Sequence, residues 1–303
     1  MLDVMIIGGG PAGMTAGLYA SRMGLKAAIF EKLFVGGQAS TTNIIENYPG
    51  FAHGIGGPEL MMEFQQQAEQ AGCEVRYDDV LQLELDGDIK TAKTASGDIQ
   101  ARTVILCMGA QARKLGVPGE DRLRGRGVSY CATCDGAFYR GKRVAVVGGG
   151  NTAAEDALYL SQLCERVYLI HRRDSLRADA ALAGRIKEKS NIEIIWDSVV
   201  TQLNGADILE TVALHNVKTG LDTTVAVSGV FVAVGQVPGS ELVRGKVDLD
   251  PAGYIIAGED TQTSLPGVYA AGDIRTKPLR QVVTAAADGA VAAAAAGKYL
   301  QMK

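Results

Sequence analysis

The sequence predicts an α/β chain built from two copies of one β-α-β unit, the second inserted into the first. Three observations carry this. The segments "VMIIGGGPAGMTAGLYASRMGLKAAIFEK", from Val4, and "RVAVVGGGNTAAEDALYLSQLCERVYLIHRR", from Arg143, share one layout: a short apolar run, a glycine turn, a stretch with apolar residues at helical spacing and a second apolar run. Their spacing agrees, with 21 residues from Gly10 to Glu31 and 21 from Gly150 to His171. The late segment "GVYAAGDI" again reads as strand then turn and resembles the close of the first sheet, so the first domain is expected to be discontinuous.

The turn "GGGPAG" sets Gly8, Gly10 and Gly13 in a G-x-G-x-x-G pattern, with Pro11 and Ala12 between the last two glycines. The first glycine permits a tight turn, the second lets the backbone approach a pyrophosphate, and the third lets helix pack on strand. The helix N-terminus then offers free N–H groups to the phosphates. Glu31 falls where a ribose hydroxyl needs an acceptor. The second turn, "GGGNTA", has Gly148, Gly150 and Ala153, with Asn151 and Thr152 inside it and Glu155 just beyond. Its second strand ends not on an acid but on His171, Arg172 and Arg173, with Arg177 close behind. Guanidinium forks match phosphate oxygens, whereas a carboxylate repels them, so this domain is expected to take NADPH and not NADH. One acidic and one basic version in a single chain point to two different dinucleotides, and the acidic one is then FAD. The fold expected is thus a pair of Rossmann-like dinucleotide-binding domains.

Between the two copies, "AQARKLGVPGEDRLRGRG" from Ala110 is rich in Gly, Pro and charge and suits a linker. After the second copy, "ETVALHNVKTGLDTTVAVSGVFVAVG" suggests a hairpin and a last strand, "VPGSELVRGKV" a second crossover, and the residues from about Arg280 a helix. The expected division is an FAD-binding domain over residues 1–114 and 242–303, and an NADPH-binding domain over 115–241.

Composition narrows the class. The chain has 303 residues, 47% apolar and 21% charged, which suits two ordinary folded domains. A formal net charge of −4 gives no basic field, so nucleic acid is not an expected partner. "MLDVMIIGGG" runs straight into an apolar strand, and the Ala-rich run from Gly289 to Leu300 is too short and too weakly apolar to cross a bilayer. A soluble, cytoplasmic protein without membrane association is expected. Five cysteines, an odd number, do not form a secreted disulfide framework, and Cys73, Cys107 and Cys164 read as buried small hydrophobes.

"CATCDG", residues 131–136, is different because it sets two cysteines three apart. A zinc site needs four ligands, and neither His53, His215 nor the lone cysteines supplies a second pair, so no metal is expected. A disulfide closing so small a loop stabilises little. Thiol–disulfide exchange remains, and it needs a proton donor and acceptor, a role open to Asp135, which equally suits a helix cap.

These motifs resemble the low-molecular-weight, bacterial-type thioredoxin reductases. The matching segments are "GGGPAG", "GGQ" at 36–38, "ENYPGF" at 46–51, "CATCDG", "GGGNTA", "HRRDSLR", "TSLPGVYAAGD" and "RQVVTAAADG", in the same order and spacing. The resemblance implies an NADPH-dependent flavoprotein disulfide reductase, acting on thioredoxin or on another small dithiol protein and assembled as a homodimer. It implies FAD contacts from the first turn, Glu31, Gly37, Gln38, Asn47, Gly272, Asp273, Arg280, Gln281 and Val282, with Cys134 beside the flavin and Cys131 attacking the protein substrate. It also implies domain rotation about hinges near Leu115 to Gly119 and Val237 to Glu241. The chain departs from the family's common pattern at Cys107, Met108, Asp156 and Gly239, none of which is a redox residue.

Overall fold

Apolar runs buried on both faces belong inside a parallel sheet, and the first run here is such a strand. The computed structural model describes residues 1–42 and 44–303. β1 (Leu2–Ile7) leads through the glycine turn into α1 (Pro11–Arg22), where Pro11 takes the first helical turn that its missing N–H favours. The chain returns as β2 (Ala27–Glu31), parallel to β1 from Val4↔Ala27 to Ile7↔Phe30. α2 (Gly57–Gln70) and β3 (Glu74–Tyr77) continue the winding beyond β2. An antiparallel meander follows, β4 (Val80–Glu84), β5 (Lys90–Thr94) and β6 (Gly97–Leu106), and β6 pairs in parallel with β1. The order is β3-β2-β1-β6-β5-β4.

β7 (Ala110–Ala112) carries the chain into a second compact unit, residues 112–236. One-turn helix α3 (Glu120–Leu123), strand β8 (Val128–Ser129) and one-turn helix α4 (Ala132–Asp135) open it. β9 (Arg143–Gly148), α5 (Asn151–Leu160) and β10 (Arg166–Ile170) then repeat the first β-α-β arrangement. α6 (Ala180–Lys187) and β11 (Ile192–Ile195) extend it. β12 (Ser198–Asn204), β13 (Thr211–Asn216) and β14 (Asp222–Ala226) form an antiparallel sheet, the last two making the expected hairpin. β15 (Gly229–Ala233) enters the parallel sheet between β9 and β8, giving the order β11-β10-β9-β15-β8.

β16 (Gln236–Pro238) pairs with β7 on the way back. β17 (Val268–Ala270) joins the C-terminal half of β6, and α7 (Val282–Gln301) closes the first unit, which comprises residues 1–111 and 237–303. The fold is therefore two Rossmann-like α/β units, the second inserted into the first. The crossings lie three and five residues ahead of the boundaries expected at 114 and 241.

Alternation along the central strands places a core on each face. Val4 and Ile6 of β1 pack with α1, α2 and α7, while Met5 and Ile7 pack with Phe30, Val104 and Leu106 on the other side. In β9, Val144 and Val146 face Ala153, Ala157 and Leu160 of α5, and Ala145 and Val147 face Val212 and Leu214 of β13. Cys73, Cys107 and Cys164 are buried. Among the described residues no helix is long and apolar enough to cross a membrane.

The glycine- and proline-rich stretch after β7 is more than a tether. Glu120 is 2% exposed, and its carboxylate accepts from Leu115 N at 2.8 Å, Gly116 N at 2.7 Å and Tyr130 Oη at 2.8 Å. The segment from which a hinge was expected, Leu115 to Gly119, is thereby tied into the second unit.

Ile6 is fully buried at the centre of the first sheet, so Ile6→Ala is expected to cost about 2–5 kcal/mol, read from denaturant unfolding followed by circular dichroism. A loss below about 1 kcal/mol would contradict this packing.

Candidate active site

The residue pair at Cys131 and Cys134 is presented by a strand end. β8 is held by parallel pairing to β15, with Val128 opposite Val230 and Ser129 opposite Phe231. The chain leaves β8 at Ser129, stays extended at Cys131, then turns once as α4, so the two Cα atoms lie 5.3 Å apart and the sulfurs are joined as a disulfide. Ala132 beneath the turn is buried, Thr133 is exposed, and both cysteines are half-buried, open enough for exchange. Thr133 Oγ1 lies 3.5 Å from Cys131 Sγ.

Asp135 closes the turn, but its side chain caps no helix. Instead Ser129 Oγ donates to Asp135 Oδ2 at 2.6 Å and accepts from Cys131 N at 3.1 Å. Ser129 is 5% exposed, so one buried hydroxyl joins the acid to the backbone of the first cysteine. Burial pushes the Asp135 carboxyl up from its ordinary value, and the Ser129 bond partly opposes that. Burial, with the Asp135 charge second, likewise pushes the Tyr139 phenol up to about 12.

The first glycine turn sits at the end of β1. A Cβ on Gly8 would strike the Cys107 carbonyl, and one on Gly13 would strike Gly8 O, so both close approaches need glycine. The Gly36–Gly37 turn lies over it, with Gly36 N donating to Gly9 O at 2.8 Å and Gly37 near Gly10. Glu31 accepts from Gly9 N at 2.8 Å and from Leu33 N at 3.1 Å, which leaves acceptor sites on its carboxylate. Gln38 Nε2 donates to Ala110 O, and Asn47 Nδ2 donates to Gln281 Oε1 at 3.0 Å. Gln281 forms a capping box with Thr284, which starts α7 at Val282. Arg280 is held by its own unit: its guanidinium stacks on Tyr254 at 4.1 Å and faces the carbonyls of Asp273 and Arg275 at 3.4 Å.

Two features of this unit fit a dinucleotide. A Cβ on Gly10, at the N-cap of α1, would enter open space. Asp273, in the turn after β17, has a buried Oδ1 with no hydrogen-bond partner among the described residues, a cost that a ligand hydroxyl would remove. Burial raises its pKa, opposed by Lys277 and Arg280.

In the second turn, Gly150 likewise faces open space, and Ala153 takes the third small position, packed against Gly148. Thr152 and Glu155 are exposed. The Asn151 side chain is occupied by a reciprocal pair with Asp179, donating to its Oδ2 at 2.8 Å and accepting from its N–H at 2.9 Å. Arg172, Arg173 and Arg177 are exposed, and among the described residues none of their guanidinium groups forms an ion pair. His171 stands apart from them. It is 5% exposed, its ring lies directly under Gly149 and edge-on to Trp196, and burial lowers its pKa, which keeps it neutral near pH 7. Its Nε2 is buried without a partner among the described residues. No group of three or more His, Cys, Asp or Glu suited to a metal occurs among the described residues.

Sequence reasoning missed Ser129, Asp179, Tyr254 and Asp288. Each acts through a partner distant in the chain or lacks a motif of its own.

Residues 2–289 match the pyridine nucleotide-disulphide oxidoreductase family. The chain is 46% identical over 301 residues to the thioredoxin reductase of Streptomyces coelicolor, covering 98% of this chain and 94% of that one. It is 48% identical over 300 residues to a bifunctional thioredoxin reductase/thioredoxin of Mycobacterium leprae, covering 98% of this chain and 66% of that longer protein. The crystal structure of thioredoxin reductase from Streptococcus pyogenes superposes with a TM-score of 0.94 at 46% identity, over 100% of this chain and 99% of that one. The chain belongs to the pyridine nucleotide-disulphide oxidoreductases and, within them, to the thioredoxin reductases. With that membership comes the use of a flavin and a pyridine nucleotide.

Ser129→Ala removes the one bond that lowers the Asp135 pKa, so the acid is expected to titrate higher. The check is the pH dependence of the rate at which the dithiol form reduces a small aromatic disulfide: its lower limb moves up in Ser129→Ala and returns in Ser129→Thr. An unmoved limb contradicts the coupling.

Proposed function

We propose that this chain is an NADPH-dependent, FAD-containing reductase of thioredoxin. The observation that carries the reading is the Cys131–Cys134 disulfide, half-buried and bonded through Ser129 to the raised-pKa carboxyl of Asp135.

FAD would be held in the first unit by Gly8, Gly10, Pro11, Ala12, Gly13, Glu31, Gly37, Gln38, Asn47, Gly272, Asp273, Gln281 and Val282, with Arg280 supporting the Asp273 turn from behind. The open N-cap at Gly10 and the unpartnered Asp273 Oδ1 support this. NADPH would be held in the second unit by Gly148, Gly150, Thr152, Ala153 and Glu155, with Asn151 and His171 shaping the turn. Arg172, Arg173 and Arg177, exposed and without ion pairs, suit a 2′-phosphate. When bound, nicotinamide and flavin supply the electron pair that the disulfide needs.

The chain's own residues do the thiol chemistry. Opening the sulfur–sulfur bond leaves two sulfurs that take up protons, and Asp135 holds one within the turn. The Cys131 thiolate attacks the disulfide of thioredoxin, giving a mixed disulfide and releasing one partner sulfur as a thiol. Cys134 then attacks Cys131, re-forms the original bond and frees the second partner thiol, with Asp135 moving the proton between thiol and leaving sulfur. Both cysteines are half-buried, so each sulfur is reachable for exchange, and the order of attack follows the thioredoxin reductase family to which the chain belongs.

The first unit also carries an open groove of about 720 Å³ whose lining includes Met14, Tyr48 and Phe64 beside Arg22, Gln67 and Gln70. Such a mixed apolar and polar surface suits an interface with a second copy of the chain, and sedimentation at twice the 31.8 kDa chain mass is the expected result.

Steady-state oxidation of NADPH with thioredoxin and a panel of other small dithiol proteins tests the substrate, and fastest turnover with thioredoxin is expected. Arg172→Ala combined with Arg173→Ala is expected to raise KM for NADPH about tenfold or more while leaving KM for NADH nearly unchanged. An equal effect on both would remove the 2′-phosphate role.

A further inference from the structure

The "AAADG" segment of α7 places an ionised side chain inside the first unit, where burying an unpaired charge would be costly. Asp288 is 6% exposed, and its carboxylate accepts four hydrogen bonds: Oδ2 from Gly272 N at 2.9 Å, Arg275 Nε at 2.8 Å and Lys277 Nζ at 2.7 Å, and Oδ1 from Arg275 Nη2 at 2.7 Å. The two cations are as buried as the anion, with side-chain exposures of 3% for Arg275 and 4% for Lys277. Burial pushes the Asp288 carboxyl up, but the bonds from Arg275 and Lys277 outweigh it and hold the carboxyl below its ordinary value.

What this cluster holds is the turn that carries Asp273. Gly272, whose amide bonds Asp288, directly precedes Asp273, and a Cβ on Gly272 would press on the Ala12 Cβ at 2.9 Å. Gly289, next to Asp288, lets α7 approach the Ala12 carbonyl in the same first turn of α1. The Asp273 carboxylate lies within the electrostatic reach of Lys277 and Arg280, yet among the described residues its Oδ1 has no partner.

We propose that Asp288 is a positioning residue of the flavin nucleotide site. It fixes the Gly272–Asp273 turn against α1 and, by engaging Arg275 and Lys277, keeps Asp273 Oδ1 open to a ligand hydroxyl. The proposal rests on the reading of the first unit as the FAD unit. Without the Asp288 charge, Lys277, which already acts on the Asp273 carboxylate across space, is released toward it and takes the oxygen meant for the ligand.

The test is the dissociation constant for FAD, measured by stripping the full-length protein of flavin and re-titrating it, beside the melting temperature of the flavin-free chain. Asp288→Asn is expected to weaken FAD binding about tenfold or more, and adding Lys277→Met is expected to recover part of that loss. Should Asp288→Asn not fold, Asp288→Glu keeps the charge but displaces the oxygen from the Gly272 amide, and is expected to fold and to bind FAD several-fold more weakly. A lowered melting temperature with FAD affinity equal to wild type, in whichever variant folds, would mean a purely structural role and overturns the proposal. A wild-type chain that binds no FAD would instead overturn the FAD reading on which it rests.

Discussion

Missing side chains at a few glycines are the constraint on which both nucleotide turns depend. At Gly8 and Gly13 in the first unit, and at Gly148 in the second, a Cβ would run into backbone or a packed side chain. The helix in each unit therefore starts within a few residues of the strand end, capped by Gly10 or Gly150, where a Cβ would meet open space. The third position differs for a local reason. Gly13 lies against the Gly8 carbonyl, whereas Ala153 finds room beside Gly148, so only the second turn tolerates a methyl group.

Around those turns, buried polar groups divide into two kinds. One kind is fully satisfied and holds shape: Glu120 with Leu115, Gly116 and Tyr130; Asp288 with Gly272, Arg275 and Lys277; Ser129 with Asp135 and Cys131. The other kind is left open, as at Asp273 Oδ1. An unpartnered buried polar atom costs free energy in the isolated chain, a cost that the proposed ligand would offset. Satisfied networks keep the open atoms in place.

Most of the architecture was legible in the sequence because it rests on short-range signals. The apolar runs of β1 and β9, the glycine turns and the matched 21-residue spacing encode the two β-α-β units directly, and the three-residue step of Cys131 and Cys134 encodes a turn that can close a disulfide. The site was legible only where a residue type announces its chemistry. Asp135 was visible beside the cysteines, but Ser129, which sets its environment, is an ordinary serine until β8 pairs with β15. Asp288 lies inside the "RQVVTAAADG" segment with nothing to mark its role, and only the return of the chain through β17 brings Gly272, Arg275 and Lys277 to it. His171 shows the converse: its place in "HRR" suggested a phosphate contact, whereas the fold puts its ring beneath Gly149. Asn151, expected at the cofactor, spends its side chain on Asp179, 28 residues away.

Electron storage in a sulfur–sulfur bond in series with a flavin is tested most directly by counting reducing equivalents. Anaerobic titration of the flavin-loaded protein with dithionite, followed by flavin absorbance and by thiol counting, is predicted to consume one electron pair more in the wild type than in Cys131→Ser combined with Cys134→Ser. The extra pair should appear as two new thiols. Equal consumption by the two proteins, with no new thiols in the wild type, would contradict it.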